Sequence, residues 1–295
     1  MGLFLDVFKD SAVDCVKMLP FLFLAFYLLE VVEQHASDRM TVMLGRSGGL
    51  GPLIGSLLGS VPQCGFSIMA SDFFASGVIS MGTLLAVYLS TSDEAIIILL
   101  TDPEHAKDIL FLVLTKIIIG TLGGYIVLFV ERRFFKRDPV KARKAAEIIR
   151  RSSGSDEHAA VRTGFRDLLI PAWNHTKEVF VYLFIFTFLI GFMMEAFGNS
   201  VIGSIFLSGS AFQPLVASVI GLIPNCAASI MLTQLYMDGV LSFGSAVAGL
   251  CSSAGLGLLV LFRMNRSMKE NITVLAFLVA IAVTAGSILQ AVSLP

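Results

Sequence analysis

Long apolar runs, interrupted at intervals by proline, serine or acidic residues, dominate this sequence. Four runs can be marked in the first half of the chain and four in the second. A helix needs about 20 mostly apolar residues to cross a bilayer. The pattern therefore predicts an all-α polytopic membrane protein, with apolar regions at about 15–35, 49–71, 78–101, 109–131, 174–196, 210–232, 239–262 and 270–294.

The composition agrees with that class. Hydrophobic residues make up 56% of the 295 residues and charged residues 15%, and the mean hydropathy is +0.83. Soluble domains average roughly 45–50% apolar and about 25% charged residues. The chain has no phosphate-binding P-loop, no HExxH and no GxSxG sequence. We therefore expect neither an enzyme nor a resident cofactor, and no nucleic-acid partner.

One segment of the chain occurs twice. The stretch "GSVPQCGFSIMASDFFASGVISMG" begins at Gly59, and "GLIPNCAASIMLTQLYMDGVLSFG" begins 162 residues later at Gly221. Ungapped comparison of 59–86 with 221–248 gives 11 identities in 28 positions, and the same offset pairs Glu33 with Glu195. Such self-similarity indicates two structural repeats. We assign 1–131 to the first transmembrane repeat, 132–166 to a basic linker and 167–295 to the second repeat.

The placement of charge predicts that the two repeats are inverted. Basic residues concentrate at 132–151, which the positive-inside rule assigns to the cytoplasm. The acidic loop 101–108, one span earlier, then lies outside, whereas its counterpart 262–271 is basic and lies inside. We expect an inner-membrane protein with a cytoplasmic linker and both termini outside.

Inversion requires an odd number of crossings in each repeat, yet only four long apolar regions are visible in each. The third region is the best candidate for a hairpin, bent at "STSDE" (90–94) and at "CSSAG" (251–255). Five helical segments per repeat result. Inverted repeats with discontinuous helices are common in secondary transporters.

Two prolines, Pro62 and Pro224, interrupt equivalent apolar regions, which predicts discontinuous or hairpin helices at both places. Proline removes a backbone donor and breaks a helix, and carbonyls freed inside hydrocarbon must be satisfied by protein, water or an ion. An amide and a thiol follow each proline, namely Gln63 and Cys64, then Asn225 and Cys226. The two breaks are predicted to meet near the membrane centre and line one substrate site. The simpler alternative is that both prolines only kink packed helices.

Asp93 and Glu94 lie halfway along the third apolar region. Adjacent carboxylates inside a membrane need a metal ion, a proton or a water-filled cavity, because burying them unpaired is costly. The second copy has Ala254 and Gly255 instead, so any carboxylate site is asymmetric, and Ser252 and Ser253 just before them are predicted to bind substrate. If the region bends as a hairpin, a simple surface loop is the alternative.

Further polar residues occur near the ends of spans. Glu33, Glu195 and Asp72 are candidates for a gate or for proton coupling, although carboxylates near helix ends also reach the interface simply by snorkelling. Lys116 lies within the fourth span, where it either snorkels outward or pairs with a carboxylate. The scattered histidines indicate no histidine metal centre.

The pairing of "GSVPQCGFSI" and "STSDEAIIIL" with "GLIPNCAASI" and "CSSAGLGLLV" resembles the family of manganese transporters or ten-transmembrane heavy-metal exporters, which is related to the arsenic-permease-like group. The resemblance covers most of both membrane halves and excludes the linker. Family members often have Gly-Cys after the proline and a histidine-rich loop, whereas this chain has Gln63 and Asn225 there and no such loop. The resemblance implies export of a divalent metal.

The first functional hypothesis is therefore a secondary active transporter that exports a divalent transition-metal cation, with Mn²⁺ favoured and proton antiport as the coupling. Carboxylate and amide oxygens suit Mn²⁺, and thiolates suit softer metals. The predicted ligands are Asp93, Glu94, Gln63, Asn225, Cys64 and Cys226. The expected partners are the metal ion, the lipid bilayer and a second copy in a homodimer. The alternatives are a permease for arsenicals or another small anion and a membrane scaffold or receptor without transport activity.

Overall fold

The computed structural model describes residues 48–61, 64–91, 93–101, 106–134, 210–223 and 226–293, with separate positions between 8 and 27 and between 169 and 192. All regular structure in these residues is helical, which confirms the predicted all-α class. A single 3-10 turn, Gly48–Leu50, precedes the first labelled helix. The helices are α1 (Gly51–Gly59), α2 (Cys64–Ala75), α3 (Met81–Ser90), α4 (Asp93–Thr101), α5 (Ala106–Phe134), α6 (Gln213–Gly221), α7 (Cys226–Met237), α8 (Phe243–Ser252), α9 (Leu256–Met264) and α10 (Met268–Ser293).

Four segments in the described part of the chain are long and apolar enough to cross a membrane: Met81–Leu100, Lys107–Arg133, Phe243–Met264 and Met268–Val292. The first and third are 87% and 78% buried by the rest of the protein, whereas the second and fourth are 33% and 22% buried. Helices α5 and α10 therefore present broad apolar surfaces suited to lipid, and the broken segments α3–α4 and α8–α9 form the interior. The protein is a multi-pass membrane protein.

Helices α1–α5 and α6–α10 repeat the same order of elements. Their capping also repeats, because Ser80 Oγ accepts a hydrogen bond from Thr83 N at 3.1 Å and Ser242 Oγ accepts one from Ser245 N at 3.2 Å. These serines begin α3 and α8, and an N-cap hydroxyl satisfies an amide that the helix leaves unpaired. Gly77, with a φ of 81°, occupies the turn before α3 that its partner Gly239 occupies before α8. The internal duplication is thus visible in local structure as well as in sequence.

Each proline break lies between two helices that run in opposite directions. Helices α1 and α3 run parallel, because Gly55 lies against Thr83 and Gly59 lies against Val87. Since α2 connects the end of α1 to the start of α3, it must return in the opposite direction. The contacts of Gly221 and Gly249 place α6 and α8 in the same relation. The chain therefore turns back between the end of α1 at Gly59 and the start of α2 at Cys64, and α2 runs in the direction opposite to α1.

The hairpin predicted at 90–94 and 251–255 is not found. A break does occur at both places, but α3 does not pack side by side with α4, nor α8 with α9. Helix α4 packs instead on α7 of the other repeat, and α9 packs on α2. Burial against the opposite repeat replaces the contact that a local hairpin would make.

The helical residues described between 8 and 27 pack against those between 169 and 192. The ring of Phe8 lies 5.3 Å from that of Phe184 and 5.9 Å from that of Phe188. The ring of Phe23 lies 5.8 Å from that of Trp173. Because residue numbers rise along one segment as they fall along the other, the two segments are antiparallel. These edge-to-face aromatic pairs are favourable beyond their buried area.

One hydroxyl reveals a difference between the repeats. Ser56 on α1 is hydrogen-bonded to Thr121 Oγ1 at 2.6 Å and to the Leu53 carbonyl at 2.9 Å. The equivalent Ser218 on α6 is fully buried, and its Oγ has no partner among the described residues. The residue that corresponds to Thr121 in the second repeat is Val283, which offers no hydroxyl.

We expect Ser218→Ala to raise the midpoint of thermal unfolding in detergent by about 2–4 °C, because an unpaired buried hydroxyl costs about 1 kcal/mol or more. Ser56→Ala is the matched control and should lower the midpoint, since it removes a satisfied hydroxyl. Equal decreases in both variants would show that Ser218 does have a partner.

Candidate functional site

In each repeat, the end of the helix before the proline break lies against the end of α3 or α8. A Cβ atom on Gly59, the last residue of α1, would contact Ser90 Oγ and lie 2.6 Å from the Val87 carbonyl oxygen. In the second repeat, a Cβ on Gly221 would contact the Gly249 carbonyl and lie 2.6 Å from Ser252 Oγ. Only glycine permits these approaches. The proline break and the break after α3 or α8 are therefore adjacent in both halves.

Lys116 on α5 joins the two repeats at these breaks. Its side chain is fully buried, with a relative exposure of 0%. The ammonium donates a hydrogen bond to the carbonyl of Thr91, just past α3, and another to the carbonyl of Leu250 on α8 at 2.9 Å. Of the two predicted alternatives, outward snorkelling is thus wrong. The lysine points inward and bonds main-chain oxygens from both halves.

A second connection between the repeats runs through Ser71 on α2. Its Oγ lies 2.8 Å from the Gly257 carbonyl oxygen at the start of α9 and 2.6 Å from Tyr88 Oη. A Cβ on Gly257 would lie 2.7 Å from the Cβ of Ser67. The beginning of α9 is therefore in direct contact with α2, one turn after Cys64.

We call the place where Lys116 joins the ends of α3 and α8 the junction. The predicted site residues Ser252 and Ser253 are buried and hydrogen-bonded there. Ser252 Oγ donates to the Ser218 carbonyl at 2.8 Å, which ties α8 to α6. Ser253 Oγ lies 2.9 Å from Ser229 Oγ on α7. Ser229 is three residues after Cys226, so the second copy places its break serines beside the start of α7.

Of the other predicted residues, four begin helices beside the breaks, one lies away from them, and six are outside the described part of the chain. Cys64 and Cys226 begin α2 and α7, and Asp93 and Glu94 form the first turn of α4, directly after the breaks. Asp72 is exposed on α2, two turns from Cys64, and is not among the residues that meet at the junction. The remaining predicted residues lie outside the described part of the chain: Pro62, Gln63, Pro224, Asn225, Glu33 and Glu195.

The electrostatic character of the junction follows from its helix ends. Helix C-termini carry partial negative charge and N-termini partial positive charge. Helices α1, α3, α6 and α8 end here, and α2, α4, α7 and α9 begin here. Free carbonyl oxygens can bind a cation, and exposed amides can bind an anion. Asp93, Glu94 and Lys116 add a formal charge of −1 to this balance.

Sequence reasoning missed several residues of the junction. The sequence predicts that Lys116 snorkels or pairs with a carboxylate but not that it bonds main-chain oxygens, and it does not single out Ser67, Ser71 or Tyr88. A lysine alone within an apolar run is a readable signal, because such residues usually face a bundle interior. Serines and a tyrosine in an apolar helix carry no comparable signal, since they are also tolerated as ordinary core residues.

Comparison with known proteins identifies one family. A family described as "Putative, 10TM heavy-metal exporter" matches residues 2–208 and residues 173–293 of this chain. Together the two segments cover almost the whole sequence. No curated protein and no solved structure matched.

Proposed function

Because the chain belongs to this family of ten-transmembrane heavy-metal exporters, we propose that it is a secondary active transporter that moves a divalent transition-metal cation out of the cell, with Mn²⁺ favoured. The observation that carries the proposal is the convergence of broken helices from both repeats around Thr91, Lys116 and Leu250. Discontinuous helices that meet inside the membrane are the usual construction of a transporter substrate site.

The metal ligands in this proposal are the residues that flank the breaks. Asp93 and Glu94, at the start of α4, supply carboxylate oxygens, and Gln63 and Asn225 supply amide oxygens. Hard oxygen ligands suit Mn²⁺, whereas the thiols of Cys64 and Cys226 extend the range towards softer cations. The oxygen-rich set is the reason for favouring Mn²⁺.

The proposal includes an inverted arrangement of the two repeats. The antiparallel packing of Phe8 and Phe23 against the equivalent segment of the second repeat supports it, because two-fold-related helices are antiparallel only when the axis is perpendicular to them. The reciprocal packing of α2 on α9 and of α4 on α7 is also what a two-fold relation produces. Arg132 and Arg133 at the end of α5 support a cytoplasmic linker.

Proton antiport is the proposed energy source. A carboxylate that binds a metal must be deprotonated, so metal binding and proton release exchange with one another. Asp93 and Glu94 can perform this exchange at the site. Glu33, Glu195 and Asp72 remain the proposed gate or relay residues towards the two faces of the membrane.

A second candidate function is a permease for arsenicals or another small anion. The starts of α2 and α7 and the ammonium of Lys116 favour it, because helix N-termini and buried cations attract anions. The thiols that begin both helices also suit trivalent arsenic. In this case Asp93 and Glu94 would bind the coupling ion.

Transport by the purified protein in liposomes tests the two candidates directly. When the liposome interior is more acidic than the outside, proton antiport should drive the metal inward. We then expect Mn²⁺ uptake to be at least about tenfold faster than arsenite uptake, and the Mn²⁺ uptake rate to fall when the pH gradient is collapsed. Empty liposomes and liposomes with ionophore are the controls. Transport of arsenite without movement of any divalent metal would overturn the proposal and support the second candidate.

A further inference from the structure

Lys116 is a buried cation whose ammonium bonds to main-chain oxygens. Its side chain is fully buried near the middle of the apolar part of α5, and its Nζ contacts carbonyl oxygens from two different repeats. The equivalent position on α10 is Leu278, which is also fully buried. A residue of similar size can therefore fill this place in the fold without any charge, so packing alone does not explain the lysine.

The carbonyl of Leu250 is available to a cation because of the break after α8. In an uninterrupted helix it would accept from the amide of Ala254. Here Ala254 N donates instead to the Ser252 carbonyl at 2.9 Å, and Ser253 N donates to the Gly249 carbonyl at 3.1 Å. Because the Ala254 amide bonds elsewhere, the Leu250 carbonyl oxygen at the end of α8 is free to accept from Lys116.

The carbonyl of Thr91 is the corresponding oxygen in the first repeat. Thr91 follows the last residue of α3, and its own amide donates to the Val87 carbonyl at 2.9 Å. Its carbonyl therefore lies at a helix C-terminus, where partial negative charge accumulates. Two such ends, from α3 and from α8, are brought together at one ammonium group.

We propose that the carbonyl oxygens of Thr91 and Leu250 form a site for a small monovalent cation, which this chain fills with the tethered ammonium of Lys116. The site lies between the repeats and just before the start of α4, and it consists of main-chain oxygens rather than of the proposed metal-binding side chains. The ammonium holds the two broken segments together and keeps free cations from these two oxygens. When the side chain is shortened, a free ammonium ion takes its place.

Thermal unfolding of purified Lys116→Ala tests this proposal. In about 100 mM choline chloride, we expect its unfolding midpoint to be about 5 °C or more below that of the unaltered protein, since two charge-assisted hydrogen bonds are lost. Replacing choline by the same concentration of ammonium should recover at least about half of that loss, because a ligand that binds only the folded state stabilises it.

Leu278→Ala is the matched control, because it opens a cavity at the equivalent position of the other repeat without exposing the same carbonyls. It should lose stability and show no recovery with ammonium. Recovery of both variants, or of neither, would overturn the cation site. Since the measurement does not involve transport, its outcome is separate from that of the proposed function.

Lys116→Met provides a second test that does not require the alanine variant to fold. Methionine keeps most of the volume but offers no charge and leaves no room for a free ion. A lowered midpoint that ammonium does not change would support the proposal. A midpoint equal to or above that of the unaltered protein would overturn it, because the ammonium would then contribute nothing to the junction.

Discussion

Replacing Asp93 and Glu94 together by Asn and Gln is expected to reduce metal export by about 100-fold or more while leaving the protein folded. Removing groups that only support metal ligands already lowers metal affinity or activity by about 10–100-fold. Here both proposed carboxylate ligands themselves are lost. Both residues lie in the first turn of α4, and Asn and Gln closely match Asp and Glu in size. Initial rates of Mn²⁺ transport in liposomes, at equal amounts of inserted protein, provide the measurement.

Asp72→Asn is the control for this experiment. Asp72 is a carboxylate on the same repeat, but it is exposed on α2 and does not take part in the junction. Its replacement should leave the affinity for the metal unchanged, even if a relay role alters the response to the pH gradient. Normal transport by the Asp93→Asn/Glu94→Gln variant would exclude these carboxylates as metal ligands.

Gly221→Ala is expected to destabilise the protein by at least about 3 kcal/mol and to abolish transport. The added Cβ would contact the Gly249 carbonyl and lie 2.6 Å from Ser252 Oγ, so α6 could not remain against the end of α8. A main-chain oxygen in a helix cannot move aside as a flexible side chain can. The unfolding midpoint in detergent should fall by about 5–10 °C.

Gly49→Ala is the matched control, because its nearest neighbour would be the Arg132 guanidinium at 3.9 Å, an ordinary contact. This variant should retain the stability of the unaltered protein. Gly59→Ala should resemble Gly221→Ala, since its Cβ would lie 2.6 Å from the Val87 carbonyl oxygen. A fully stable and active Gly221→Ala variant would show that α6 and α8 do not approach so closely in the membrane.

The class of the fold and its duplication could be predicted from the sequence because both depend on features that are local or additive. Runs of about 20 apolar residues have few stable environments other than a bilayer. Identity between 59–86 and 221–248 indicates a shared local structure, and the matching N-caps at Ser80 and Ser242 are an example of it. The positions of the breaks also followed from proline and from the polar interruptions.

The path of the chain after each break could not be predicted in the same way. A break at 90–94 is equally compatible with a hairpin and with two helices that diverge, because the local sequence does not determine which surface each helix covers. In the structure, α4 and α9 bury their apolar faces on the opposite repeat. This long-range packing is why the predicted hairpin was wrong.

By itself, the sequence determined that this is a duplicated, all-helical membrane protein with interrupted helices at equivalent places. Hydrophobic run length, proline chemistry and internal identity can be recognised in the sequence alone, because none of them depends on contacts between distant segments. Only the tertiary structure decided that the ends of α1, α3, α6 and α8 meet and that Lys116 turns inward to the carbonyls of Thr91 and Leu250. The physical reason is that a buried ammonium requires oxygen partners, and those partners lie on segments far apart in the chain.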